Sequence, residues 1–442
     1  MAQGYLNFKI AATNEQLTSN AGLVLFGEYC KAAGVQRWIE KAFPSPGSGR
    51  GYPAYLHLFP LVLMLHAGGR ELSDLRRIHS DGVLRRLLGL RKLPVVNAVN
   101  RWLIRQGKKG QQAMEAVNAV VVERFVGTLP EKTPLILDID ATVIESHKHD
   151  ARYTYKGVPG YTPMLGHLNG GIVIHGEFRE GNEAPASRNL AFIEACIDTL
   201  PKGRRVSWLR ADSAAYQSDI FNYCETHGIT FTIGARLDAA VRETIGGIET
   251  WQCIQAREGE SRFYEVFAAE RLHTMHDAEH AFRLIVVRKR ATPILPGLEK
   301  ILGEEALEAY AGERYSVIAT NADPSIPIET IVRFYRQRGN DSENRIKAFK
   351  NGFNLRYLPT SNFEANAFYF QIGILAYNLF LLFSRTLETS WQKHTVETIR
   401  YKLYHTAGKL VSHGRTLVLK IPDALVETFH AIRLRILQYA LE

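Results

Sequence analysis

Cysteine is scarce in this chain: four residues, at positions 30, 196, 224 and 253, with no CxxC pair. That spacing excludes a disulfide scaffold and a zinc module, and it fits a reducing compartment. The first residues (MAQGYLNFKIAATNEQ) lack a basic stretch leading into an apolar core, so no secretory signal is expected. Long hydrophobic runs are missing as well. The best, Phe368–Phe383, is shorter than the ~20 residues a span needs and carries Gln371 and Asn378. It is expected as a buried helix, and the protein as cytoplasmic with no membrane partner. Locally, the scarcest commodity is negative charge. Between Lys31 and Lys109 only Glu40, Glu71, Asp74 and Asp81 oppose 15 Lys and Arg. The whole chain carries +9, so the remainder sums to −2. A basic amino-terminal third on a near-neutral remainder is the electrostatic footprint of a nucleic-acid-binding module joined to something else.

With 442 residues, 46% of them hydrophobic, the chain can build two or three cores. Residues 1–130 carry helical periodicity, with apolar positions at spacings of three and four in Leu23–Ala33, Ala54–His66 and Met114–Val126. Pro44–Gly51 breaks the first two apart. Glu71–Arg105 predicts three short helices, Asp81 capping the second and Gly89–Pro94 leading into the third. Arg85, Arg86, Arg91, Lys92, Arg101 and Arg105 lie on this stretch, which suggests a helix-turn-helix-like, all-α DNA-binding region. From Thr133 the period changes. Leu135–Ile139 and Gly171–Phe178 have strand length, Ala186–Leu200 predicts a helix, Val206–Leu209 a strand, Ala214–His227 a helix and Ile229–Ile233 a strand. This alternation implies a mixed α/β sheet. Alternating stretches such as Arg262–Phe267 and Phe282–Arg288 mark 236–315 as a β-rich insertion. Ser316–Thr320 resumes a buried strand and Ile328–Arg338 a helix, within a segment 316–390 that closes the core begun at 131–235. Residues 391–442 are expected to be helical with a strand-like patch at Val411–Ile421, and to serve DNA contact or dimerisation.

The chemistry gathers at LILDIDATVI, an apolar strand that delivers Asp138 and Asp140 at its carboxyl end. Asp212, in VSWLRADSA, likewise follows a strand and precedes a helix. Glu343 falls in the first turn of a helix opened by Asp341 or Ser342, with Lys350 at i+7 on the same face. Tyr335 and Arg338 share a face of the preceding helix. Acids from two strand ends and one helix can converge on two divalent cations, and hard oxygen donors select Mg²⁺ or Mn²⁺. A second chemistry is open on the same residues. DIDAT fits the nucleophile loop of haloacid dehalogenase-like phosphatases, and SVIATNA fits their second phosphate-binding strand end. That alternative leaves the basic amino-terminal third unexplained.

The ordered set of motifs resembles a DDE transposase of the bacterial insertion-sequence type. It comprises GLVLFGEYCKAAGV, LDIDAT, GYTPMLGHL, FREGN, LRADSA, ATNAD, YRQRG with the following EN and IK, and SNFEANAFYFQIGILAYNL. The resemblance covers most of the chain. It implies an RNase H-like core with a β-rich insertion, and a catalytic and metal-binding triad of Asp140, Asp212 and Glu343 holding two Mg²⁺ or Mn²⁺. It further implies DNA contacts by Tyr335, Arg338 and Lys350, and cut-and-paste transposition by a homodimer joining terminal inverted repeats to target DNA on the bacterial nucleoid. Four residues rather than the usual three separate Arg338 from Glu343, which leaves Asp341 as an alternative. Motif position favours Asp140 over Asp138, although Asp138, two residues away on the same strand face, is a candidate to assist the metal or orient a neighbour. A catalytically idle, transposase-derived DNA-binding protein is the non-enzymatic alternative.

Overall fold

The computed structural model describes residues 8–47, 49, 51–255, 264–291, 314–339 and 344–441. The chain divides into two compact units, one of Met1–Met114, Asn351–Thr360 and Glu364–Glu442, the other of Glu115–Lys350 with Ser361–Phe363.

The second unit is built on one mixed sheet. Its described strands are β1 (Leu135–Ala141), β2 (Met164–Leu168), β3 (Val173–Glu177), β4 (Val206–Ala211), β5 (Thr230–Gly234), β6 (Gln252–Cys253), β7 (Tyr264–His273), β8 (Phe282–Ala291) and β9 (Arg314–Thr320). They lie in the order β6-β7-β8-β9-β5-β4-β1-β2-β3. β1, β4 and β5 run parallel, and the helices Asn189–Asp198 and Ser218–His227 supply the crossovers such pairs require. β2 and β3 are antiparallel additions on one side. On the other, β9 joins β5 antiparallel, and β8, β7 and β6 follow as a meander. The strands expected as an insertion therefore extend the central sheet. Leu284, Ile285, Val286 and Val287 are buried in succession, which is the pattern of a strand covered on both faces. Residues 256–263 and 292–313 of that stretch lie outside the described residues.

Local chemistry shifts one expected boundary. The helix anticipated from Ala214 starts at Ser218, because the Asp212 carboxylate accepts from Ala214 N and folds Ser213–Ala215 into a 3₁₀ turn first. The helix Ile328–Arg338 forms as predicted. Its Ile331 and Val332 pack with Ile285, Val287 and Ile318 on one sheet face. A small three-stranded sheet, with Pro159–Tyr161 between Ile144–Glu145 and Arg152–Tyr153, follows β1.

The first unit is mainly helical but not all-α. Gln16–Thr18 pairs with Gly408–His413, which pairs in turn with Thr416–Lys420. The amino-terminal strand occupies an edge that would otherwise leave backbone groups unpaired. Ala21–Ala33, Ala54–His66 and Phe363–Thr386 carry most of the buried residues. The last is the one described helix long and apolar enough to cross a membrane, and 94% of its apolar window is buried in protein. Leu75–Ser80 and Gly82–Leu88 are separated by Asp81 alone, which caps the second helix through Leu84 N. The third expected helix begins at Val96 and is broken at Gly107 (φ 41°, ψ −124°), where a second helical stretch starts and continues to Gly127.

Candidate active site

Two acids stand at the carboxyl ends of neighbouring parallel strands. Asp138 on β1 is in register with Arg210 on β4, and two residues further along each strand come Asp140 and Asp212. Side chains two apart share a strand face, so Asp138, Arg210 and both acids project to the same side of the sheet. The pair behind them is fully buried, Arg210 at 2% exposure and Asp138 at 0%. Arg210 grips Asp138 bidentately, Nε to Oδ1 and Nη2 to Oδ2, both at 2.7 Å. Its third arm donates from Nη1 to Phe334 O at 2.9 Å, and its guanidinium lies 4.7 Å from the Phe334 ring centroid. Burial pushes the Asp138 carboxyl above its usual range while Arg210 pulls it back. Both Asp138 oxygens accept from Arg210, so the neighbour this carboxylate holds in place is the arginine two residues before Asp212.

The helix Ile328–Arg338 brings its last turn to the acids. Arg338 Nη2 donates to Asp140 Oδ1 at 2.9 Å, with side-chain exposures of 12% and 18%. Burial works against the Arg338 charge, but Asp140 and Asp212 outweigh it and raise its pKa. Tyr335 presses its hydroxyl onto Gly234 at the end of β5, where a Cβ would lie 2.5 Å from it. Burial raises the Tyr335 pKa, Arg338 pulls it down, and both acids push it up. Asp212 keeps Oδ1 on Ala214 N at 2.9 Å. Lys350 donates from Nζ to Val143 O, beside the end of β1.

Glu343 and Asp341 lie outside the described residues. The geometry used to link Glu343 to Lys350 changes, however. Only Asn344–Lys347 is α-helical, and Ala348–Gly352 forms a wider π turn, so α-helical spacing does not carry through to Lys350. Arg345 packs on Gly171 (φ +96°) and donates to Leu168 O at 3.4 Å. Among the described residues no cluster of three His, Cys, Asp or Glu side chains could hold a metal ion. The described carboxylates of Asp140 and Asp212 are nonetheless hard oxygen donors of the type Mg²⁺ and Mn²⁺ accept.

Two residues here escaped the sequence reading. Arg210 sits inside LRADSA, and its signal was an arginine two residues before a strand-end acid, mirroring Asp138 before Asp140. Tyr155 is half-exposed. Partial burial, then Asp140 and Asp212, hold its pKa above the ordinary range. Other candidates have structural work. The Thr320 hydroxyl donates to Phe231 O of β5 at 2.6 Å and the Asn321 amide to Ile229 O, just before β5, at 3.1 Å, so the strand end that suggested a phosphatase serves to join β9 to β5.

The amino-terminal cations lie in the first unit. Arg86, Arg91, Lys92, Arg101 and Arg105 are exposed and Arg85 is half-buried. Arg86 donates to Gln16 Oε1 at 3.0 Å. Val95 and Ile104 are exposed among them.

No curated protein matches the chain significantly. Among solved structures it is similar to a piggyBac transposase, seen by cryo-EM in a synaptic complex with hairpin DNA. The identity is 12% and the TM-score 0.46, over 89% of this chain and 82% of that one. The family described as transposase DDE domain group 1 matches residues 2–439. The chain belongs to that family of DDE transposases.

Proposed function

We propose that this transposase cleaves DNA strands at terminal inverted repeats and transfers the freed 3′-hydroxyl to target DNA, by cut-and-paste transposition. The observation that carries the reading is the register of Asp138 with Arg210, which presents Asp140 and Asp212 side by side with Arg338 across the first. The order β3-β2-β1-β4-β5, with β1, β4 and β5 parallel and β2 antiparallel, supports an RNase H-like core. Asp140, Asp212 and Glu343 would hold two Mg²⁺ or Mn²⁺. The chemistry such ions supply when bound is activation of the attacking hydroxyl and stabilisation of the leaving oxygen.

The protein's own residues do the rest. Arg338 is part-buried, carries a raised pKa and reaches Asp140, so it stays charged and can exchange that carboxylate for a phosphate oxygen through its planar fork. Tyr335, packed on Gly234 of β5 beside the strand that leads to Asp212, would offer its hydroxyl to the incoming backbone. Lys350, held at Val143, adds a cation beside β1. The exposed cations Arg86, Arg91, Lys92, Arg101 and Arg105, with Arg85, would neutralise phosphates of the inverted repeats, and a homodimer would hold two ends.

The test is Asp212→Asn in the full chain, with end-containing duplex DNA and Mn²⁺. Binding should persist and strand cleavage should disappear; cleavage at the wild-type rate would remove Asp212 from the mechanism. A wild-type chain that binds but never nicks would favour a DNA-binding role without catalysis.

A further inference from the structure

The small sheet after β1 ends in a tight turn with an unusual filling. Thr154 O accepts from Gly157 N at 2.9 Å, Thr154 N donates to Val158 O at 2.9 Å, and Gly157 takes φ +73°. The two central positions of such a turn are the usual places for Pro, Asp, Asn, Ser or Gly. Here they are Tyr155 and Lys156. Tyr155 is 52% exposed and Tyr153, two residues earlier, 73% exposed, while Thr154 between them is buried at 6%. Lys156 Nζ stands 5.8 Å from the Tyr155 ring centroid.

The turn is rigidly mounted. A Cβ on Gly160 would strike Ile144 O, and one on Gly181 would strike the carbonyls of Arg152 and Gly160, so backbone meets backbone on both sides of the hairpin. The mounting point is the acid-bearing strand. Ile144 follows Asp140 by four residues, Thr142 N donates to Pro163 O at 2.9 Å, and Leu165 pairs across from Asp140. From His147 to Lys156 the segment carries Lys148, Arg152 and Lys156 against Asp150. Rings left in solvent beside cations, on a hairpin mounted just past the acid-bearing strand, match one ligand chemistry. A nucleic-acid strand with unpaired bases offers ring faces to stack and phosphates to neutralise, whereas an intact duplex stacks its bases internally and presents only phosphates.

We propose that the Thr154–Gly157 turn is a stacking platform for unpaired bases of the DNA strand next to the cut. Tyr155 supplies the ring face, Tyr153 a second, and Arg152 and Lys156 meet the flanking phosphates. This rests on the DNA-cleaving reading above, and it adds a contact that discriminates opened from fully paired DNA.

The experiment measures fluorescence anisotropy of the full chain in EDTA, with a short labelled thymidine oligonucleotide, an abasic strand of equal length, and a blunt duplex. Wild type should bind the thymidine strand more tightly than the abasic one. Tyr155→Ala should weaken binding of the thymidine strand by about 5- to 100-fold, the loss expected from one or more stacked bases, and leave the abasic strand and the duplex unchanged. Tyr155→Phe, which keeps the ring, should stay within about two-fold of wild type. If Tyr155→Ala lowers the melting temperature, Tyr155→Leu replaces it and should show the same loss. Thymidine-strand affinity equal to wild type in the Ala or Leu variant overturns the platform, as does an equal loss on the abasic strand. The binding needs no cleavage, so the two readings fail separately. A Tyr155-dependent strand preference in a chain whose Asp212→Asn variant still cuts would overturn the acid assignment alone. Asp212-dependent cutting with no such preference would overturn the platform alone.

Discussion

Gly234 shows how one missing side chain positions another. The Tyr335 hydroxyl rests where a Cβ would be, 2.5 Å away, while the Tyr335 ring carbon behind it is 3.5 Å off. Gly234→Ala should therefore force Tyr335 out and cost about 1–3 kcal/mol of overpacking, together with strand cleavage. Tyr335→Phe in the Gly234→Ala background removes the colliding oxygen and should restore most of the melting temperature. Thermal melts of the two single variants and the double variant decide this. Equal melting temperatures for Gly234→Ala with and without Tyr335→Phe would show that the hydroxyl is not what the methyl meets. Tyr335 was legible in the sequence through its motif, but Gly234 was not. A strand-end glycine has many causes, and only the packed helix reveals this one.

Among the elements, the Asp138–Arg210 pair fastens β1, β4 and the last turn of the helix that carries Arg338. Replacing one partner of a buried ion pair leaves an uncompensated charge, so Asp138→Leu should cost about 3–5 kcal/mol. Replacing both, as Asp138→Leu with Arg210→Met, should leave stability near wild type, because apolar pairs often match buried ion pairs. Cleavage should still fall by about 10- to 100-fold, the usual effect of losing groups that orient metal ligands. Denaturant unfolding and cleavage rates, measured on the same preparations, separate the two effects. A double variant that cuts at the wild-type rate would reduce the pair to a scaffold. Element types were readable where periodicity was strong, as in Ile328–Arg338. Strand partners were not, because antiparallel β9 and the meander beyond it follow from hydrogen-bond register, which sequence spacing does not encode.

At the scale of the whole molecule, buried histidines set an acid limit. Burial lowers the pKa of His66 to about 3, of His167 to about 3, and of His57 to about 4. His66 is enclosed by Tyr404, the Ala376 carbonyl and the Phe26 ring. The folded protein keeps these rings neutral, while the unfolded chain protonates them below about pH 6.5. Stability is thus intact above pH 6.5 and declines as pH falls toward 4, by about 1.4 kcal/mol per pH unit for each histidine. Melting curves should shift downward steadily from pH 6.5 to 4.5; a flat profile would contradict the buried neutral rings. By itself the sequence determined the acids at strand ends, the basic amino-terminal third, a buried helix around Phe368–Phe383 and the resemblance to DDE transposases. These are short-range signals of residue type, order and period. Only the tertiary structure decided that Asp138 belongs to Arg210, that β6–β8 extend the central sheet, that Gln16–Thr18 closes a sheet with Gly408–His413, and that the hairpin carrying Tyr155 is mounted just past the acid-bearing strand. Each of these depends on which distant backbone groups pair and which side chains then lose water, and neither is written in local spacing.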